Sequence, residues 1–119
     1  MKLKNVEMSN YLTALNAVAN KVTGVLAYGV ARNIRKISNE VSEYDGIRNK
    51  TIEKYGEVGD DGYARIELGT EAYDKYIADM SEYDNIEHEV EIFMVSSSAL
   101  AETTLNANEI MGIEFMIEE

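Results

Sequence analysis

Met8, Tyr11, Leu12, Leu15, Val18, Ala19 and Val22 recur at steps of three and four, with Asn10, Thr13, Asn16, Asn20 and Lys21 between them. That period predicts an amphipathic helix. Asn5 or Ser9 is positioned to cap its start, and Gly24 supplies a stop. A second pattern begins near Val25. Val30, Ile34, Ile37, Val41 and Tyr44 step by 4, 3, 4 and 3, which makes a narrow seam rather than a broad apolar face. The pattern runs on less regularly through Ile47, Ile52 and Tyr55, across Asp45-Gly46. A glycine there costs about 1 kcal/mol relative to alanine, so the expectation is one continuous helix, weakened in its middle and closed by Gly56. The two helices should pair antiparallel through the joint "KVTGVL".

The pattern changes after Gly56. "GDDG" (59–62) reads as a turn, since Asp and Gly tolerate the dihedrals that a tight turn needs. "YARIEL" (63–68) alternates Tyr63, Arg65 and Glu67 against Ala64, Ile66 and Leu68, as a half-buried strand does. A calcium loop needs acids at alternate positions and a distant bidentate Glu, whereas Asp60 and Asp61 are adjacent. Thr70 then caps a helix expected to bury Ala72, Tyr73, Tyr76, Ile77, Met80 and Tyr83, ending at Asp84-Asn85. "HEVEIFMV" (88–95) alternates again, with Val90, Ile92 and Met94 on one side and Glu89, Glu91, Phe93 and Val95 on the other. A short helical turn near Ser98–Glu102 follows. Asn106 or Asn108 caps a last helix to Glu119, whose apolar residues Ile110, Met111, Ile113, Phe115, Met116 and Ile117 cover nearly every direction. A helix apolar all round must be buried on several sides or docked against a partner. The fold class is therefore α+β: an antiparallel helix hairpin with a long second helix, a small β-α-β section and a C-terminal helix. The 119 residues form a single domain, 1–56 the helical hairpin and 57–119 an acidic α/β subregion.

Composition narrows the chemistry. The chain has no cysteine, which removes disulfides, thiolate metal sites and thiol nucleophiles together. "MKLKNVEMSN" has no apolar segment behind its two lysines, and no apolar run approaches the roughly 18 residues of a membrane helix. A cytoplasmic protein with no membrane contact is the expectation. The formal net charge is −11, unevenly distributed: residues 1–56 hold nine Lys/Arg against five Asp/Glu, and residues 57–119 hold two against seventeen. Net repulsion disfavours direct nucleic-acid binding. Such a split suits either a charged partner or a head-to-tail contact between copies, and a solvated acidic surface is the plain alternative.

Catalytic candidates are few. His88 is the single histidine and needs a nucleophile or carboxylate brought to it by folding. Ser96-Ser97-Ser98 lacks the glycines of a nucleophile elbow. Gly56, Gly59 and Gly62 follow a helix and not a strand, so they are no dinucleotide fingerprint. No enzyme activity, metal or cofactor is expected. Arg32, Arg35 and Lys36 cluster opposite the seam of the second helix, where a solvated back face is the plain reading. Glu87, Glu89 and Glu91 fall on one side of a strand, about 6.7 Å apart, with Glu82 and Asp84 just before them. A row of this kind can occupy a basic groove built for a phosphate backbone, or it can keep an edge strand from unwanted pairing. Met111, Phe115 and Met116 are candidate apolar anchors, because methionine adapts to a partner surface.

"MKLKN" before an amphipathic helix, "VLAYGVARNIRKI", "RNKTIEKYGE" before an acid-glycine turn, and the ending "LNANEIMGIEFMIEE" together resemble a family of short uncharacterised proteins encoded by phages and prophages of Gram-positive bacteria. The resemblance covers most of the chain and rests on residue types, with no catalytic signature to carry over. It implies a phage setting. In that setting the chain is expected to bind and inhibit a host defence protein, a CRISPR effector or another nucleic-acid-handling complex, through Glu82, Asp84, Glu87, Glu89 and Glu91 as charged contacts. The alternative is a structural or assembly accessory protein that acts by self-association as a homo-oligomer.

Overall fold

The computed structural model describes residues 1–119. Its elements are β1 (Lys2–Lys4), α1 (Asn5–Val18), α2 (Gly24–Tyr55), β2 (Glu57–Val58), β3 (Ala64–Arg65), α3 (Glu71–Asp84), β4 (Glu87–Glu89), β5 (Val95–Ser96), α4 (Ala107–Ile113) and β6 (Ile117–Glu118). Single 3-10 turns occupy Ser97–Leu100 and Glu114–Met116. The architecture is α+β, a pair of helices with a long second arm followed by short strands and two smaller helices.

The seam read from sequence organises the core. Along α2, Leu26, Val30, Ile37, Val41 and Tyr44 are buried, facing Met8, Leu15 and Val18 of α1, Met80 of α3, and Ile113 and Met116 near the C-terminus. Each fully buried aliphatic side chain contributes about 1.5–3 kcal/mol. The helix runs unbroken through Gly46. At 32 residues it is about 48 Å long, which equals the longest dimension of the molecule, 48 × 32 × 21 Å.

Several boundaries differ from expectation. The first helix stops at Val18, and Gly24, with φ of +64°, opens α2 instead of closing α1. Asn5 is the first helical residue and is buried: its Nδ2 donates to the Tyr83 carbonyl (2.9 Å), tying the head of α1 to the end of α3. Ser9 lies inside α1 and caps nothing. The role of N-terminal brace falls to Glu7, whose Oε1 accepts from the Lys4 amide at 3.0 Å. Sequence periodicity gave no hint of β1, because three residues are too few to show alternation.

The β-α-β section does not close on one sheet. β3 pairs with β2 and β4 pairs with β1, both antiparallel, so the strands flanking α3 belong to separate ladders. "GDDG" is the expected turn, with Gly62 at φ of +82° and its amide donating to the Gly59 carbonyl (3.0 Å). Ladder pairing reaches only Ala64–Arg65, however, and Leu68 is 77% exposed instead of core-facing. Thr70 caps α3 as expected, its Oγ1 accepting from the Tyr73 amide. Of the six residues assigned to the inner face of α3, only Met80 is fully buried, and Ile77 is exposed.

The predicted strand 88–95 is interrupted for a physical reason. Buried Asn33 takes the place of a neighbouring strand: the Phe93 amide donates to its Oδ1 (2.8 Å), and its Nδ2 donates to the Phe93 carbonyl (3.0 Å). Parity slips there, so that Val90 and Val95 are both buried. The terminal helix is likewise shorter than expected. Asn106 caps it with Glu109 in a reciprocal box, but it stops at Ile113. The 3-10 turn then carries Met116 into the core, and β6 pairs parallel with β5, Val95 opposite Ile117 and Ser96 opposite Glu118. The all-round apolar ending is thus resolved by a change of backbone path, which buries residues that a single helix would leave outside.

Candidate interaction surface

The five acids proposed as contacts are separated by their environments. Asp84 is not a free surface charge: its Oδ1 accepts from the Tyr44 hydroxyl at 2.6 Å and locks the end of α3 to α2. Burial first, and then the bond to Asp84, push the Tyr44 hydroxyl well above its ordinary pKa. Glu82 is exposed and meets no cation of the chain. Glu87 and Glu89 lie opposite Lys4 and Lys2 in the β1–β4 ladder. Glu89 also receives the Met1 ammonium at 2.9 Å. Lys36 donates to the Glu91 carbonyl at 3.0 Å and stands 3.8 Å from its carboxylate, which remains 93% exposed.

The charge halves read from sequence are therefore interleaved in space. Lys21 reaches Glu109 at 2.7 Å, and Lys54 reaches Asp79 at 3.8 Å. Together with Lys36 and the chain-terminal ammonium, these cations of the first half sit on acids of the second. The bond from Lys21 and the Asn106 amide hold the Glu109 carboxyl below its ordinary value. Exposed pairs of this kind contribute little to stability, and they offset only part of the excess of seventeen acids over two cations in residues 57–119.

The three apolar anchors also divide. Met111 is exposed. Phe115 is half-buried, stacked on Tyr11 with ring centres 4.0 Å apart. Met116 is completely buried, with Asn33 Nδ2 3.5 Å from its Sδ, so it fills the core and offers no surface.

His88 pairs with Glu40 of α2, Nδ1 to Oε1 3.0 Å, and its Nε2 is enclosed without a hydrogen-bond partner. The ring thus meets a carboxylate but no hydroxyl. No three His, Asp or Glu side chains come together as a metal-binding group.

Two features escaped the sequence reading. On α2, Arg32 lies against both Tyr28 and Phe93, its guanidinium carbon 5.7 and 5.6 Å from the ring centres. Its Nη1 donates to the Tyr28 hydroxyl at 3.0 Å, and its Nε is buried without a partner. Tyr28 and Arg32 are four apart on a helix, which was the available signal; the contribution of Phe93 needs the tertiary fold. At the other end of α2, a groove of about 430 Å³ opens between Tyr55, the β2–β3 hairpin and the start of α3, with Glu57 and Glu67 in its wall. No helix of the protein is long and apolar enough to cross a membrane. Comparison of the chain with protein-family models, with curated proteins and with solved structures finds no match.

Proposed function

We propose that this chain is a non-enzymatic binding protein that inhibits a host protein, a CRISPR effector or another nucleic-acid-handling defence complex, in the phage setting that its sequence resemblance implies. The observation that supports this reading is the outward placement of Glu82, Glu87, Glu89 and Glu91, all exposed along the end of α3 and the β4 segment. Because Lys2, Lys4 and Lys36 stand beside three of them, the surface is mixed in sign. The contact is then a set of discrete ion pairs with arginines or lysines of the partner, not a uniform imitation of a phosphate row. Met111 supplies an exposed apolar residue for such a contact.

The test is phage challenge of cells that carry a defence nuclease and co-express the chain, with cleavage by the purified nuclease as the direct measurement. Wild type should restore plating and suppress cleavage. Glu82→Lys, Glu87→Lys and Glu91→Lys combined should do neither while keeping the wild-type melting curve. A triple variant as protective as wild type removes these acids from the mechanism, and protection by neither protein against any nuclease removes the inhibitor reading.

A further inference from the structure

With ion pairs inside the chain set aside, Arg32 and Arg35 stay unpaired in the first half of α2, where Glu102 lies in the cleft beside Val25, and several acids stay unpaired beyond its last turn, where Lys50 is the free cation. At its start, Val25, Tyr28, Arg32 and Arg35 step by three and four and so share one face. Val25 is 57% and Tyr28 53% exposed, and neither Arg32 nor Arg35 meets an acid of the chain. Tyrosine and arginine beside exposed apolar area is the composition enriched at the energetic centre of protein interfaces. At the far end, Asp60 and Glu67 are exposed and meet no cation, and Glu57 is exposed opposite Arg65 in the β2–β3 ladder without an ion pair to it; Val58, Tyr63 and Leu68 lie beside them, with Tyr63 70% exposed. Arg65, which also lines the groove there, is held by Asp61.

The geometry points to a head-to-tail contact between two copies of this chain, in which the Tyr28–Arg32–Arg35 face of one docks on the Glu57–Glu67 groove of the next. Charge complementarity selects the occupant: the helix face is cationic and apolar, the groove is anionic and apolar. Arg32 and the groove residue Tyr55 are about 35 Å apart along one rigid helix, so a copy cannot satisfy its own two surfaces. The contact is heterologous and propagates unless the rotation between copies closes a ring. The net charge of −11 opposes association at long range. At about 0.15 M salt that repulsion is screened beyond roughly 8 Å, while ion pairs in contact keep most of their attraction.

Light scattering and sedimentation of the full chain test this. The weight-average mass should climb above the 13.3 kDa monomer with concentration and fall back at about 0.5 M salt. Arg32→Glu with Arg35→Glu should be monomeric, as should Glu57→Lys with Glu67→Lys. In an equimolar mixture one junction is native and the other has its charges exchanged but still opposite, so the mixture should associate where neither variant does alone. Where a double reversal unfolds the chain, the exposed single changes Arg35→Glu and Glu67→Lys carry the same comparison, each lowering the association constant about tenfold. A wild-type mass fixed at the monomer up to about 1 mM overturns the contact. So does any reversal variant that associates as wild type does.

Discussion

Two glycines of the same helix should respond to alanine in opposite directions. Gly46 lies about two-thirds of the way along α2, exposed, and a Cβ built there meets nothing within 4 Å. Gly46→Ala therefore removes only the backbone-entropy cost of glycine in a helix, and stability should rise by about 0.5–1 kcal/mol. Gly29 is where β5 and the C-terminal segment lie closest to the helix. A Cβ there would stand 2.6 Å from Val95 Cγ2, 3.0 Å from Met116 Cε and 3.2 Å from Phe93 Cδ1. Val95 is buried, branched at Cβ and fixed by its pairing with Ile117, so it cannot rotate away cheaply. Overpacking costs about 1–3 kcal/mol. Set against a propensity gain of about 1 kcal/mol, Gly29→Ala should lose about 0–2 kcal/mol. Urea unfolding followed by helical circular dichroism measures both, and each kcal/mol corresponds to about 4 °C in Tm. A Gly46→Ala protein no more stable than wild type would refute an unbroken, solvent-facing helix at that point. A Gly29→Ala protein stabilised as much as Gly46→Ala would refute the packing of β5 on α2.

The remaining expectations concern polar joints. Asn33→Ala should destabilise by about 2–3 kcal/mol, since it strands both backbone groups of Phe93; denaturant midpoints check it, and a loss below about 0.5 kcal/mol speaks against the side chain acting as a surrogate strand. Tyr44→Phe should cost about 1–2 kcal/mol by removing the hydroxyl that Asp84 accepts, and the amides of α3 should then exchange hydrogen faster than those of α1. Because folding lowers the Glu109 pKa, that carboxylate stabilises the protein above the ordinary glutamate range, near about pH 4.3, and the contribution disappears as pH falls through the folded value. Lys21→Gln should accordingly shrink the pH dependence of stability on the acid side; identical acid limbs in the two proteins would exclude the pair as a stabilising contact.

The parts of the fold that sequence made legible are those with long, repeated patterns. The 4-3-4-3 seam of α2 located Val30, Ile37, Val41 and Tyr44 in the core, because many turns of helix sample one direction. Short elements lacked that redundancy. Lys2–Lys4 and Ile117–Glu118 are strands only because Glu87–Glu89 and Val95–Ser96 lie beside them. Asn33 carried no warning either, being one polar residue near an apolar stripe whose hydrogen-bond partner lies sixty residues away. For the surface, Glu82, Glu87, Glu89 and Glu91 were correctly placed outside, but their cationic neighbours were not foreseeable, since Lys2, Lys4 and Lys36 reach them only through the ladder and the α2 contact. Met116 misled because its helical position and its observed 3-10 position point in different directions.

The late position of Ile113 and Met116 in a core otherwise seeded by α1 and α2 bears on how the molecule is made. Until residues 113–118 are in place, the long helix has an open flank and no parallel ladder against it. Contacts this distant in sequence form slowly, so closure of this flank lags behind the pairing of α1 with α2, and in that interval the uncovered seam is open to chaperones or to another copy.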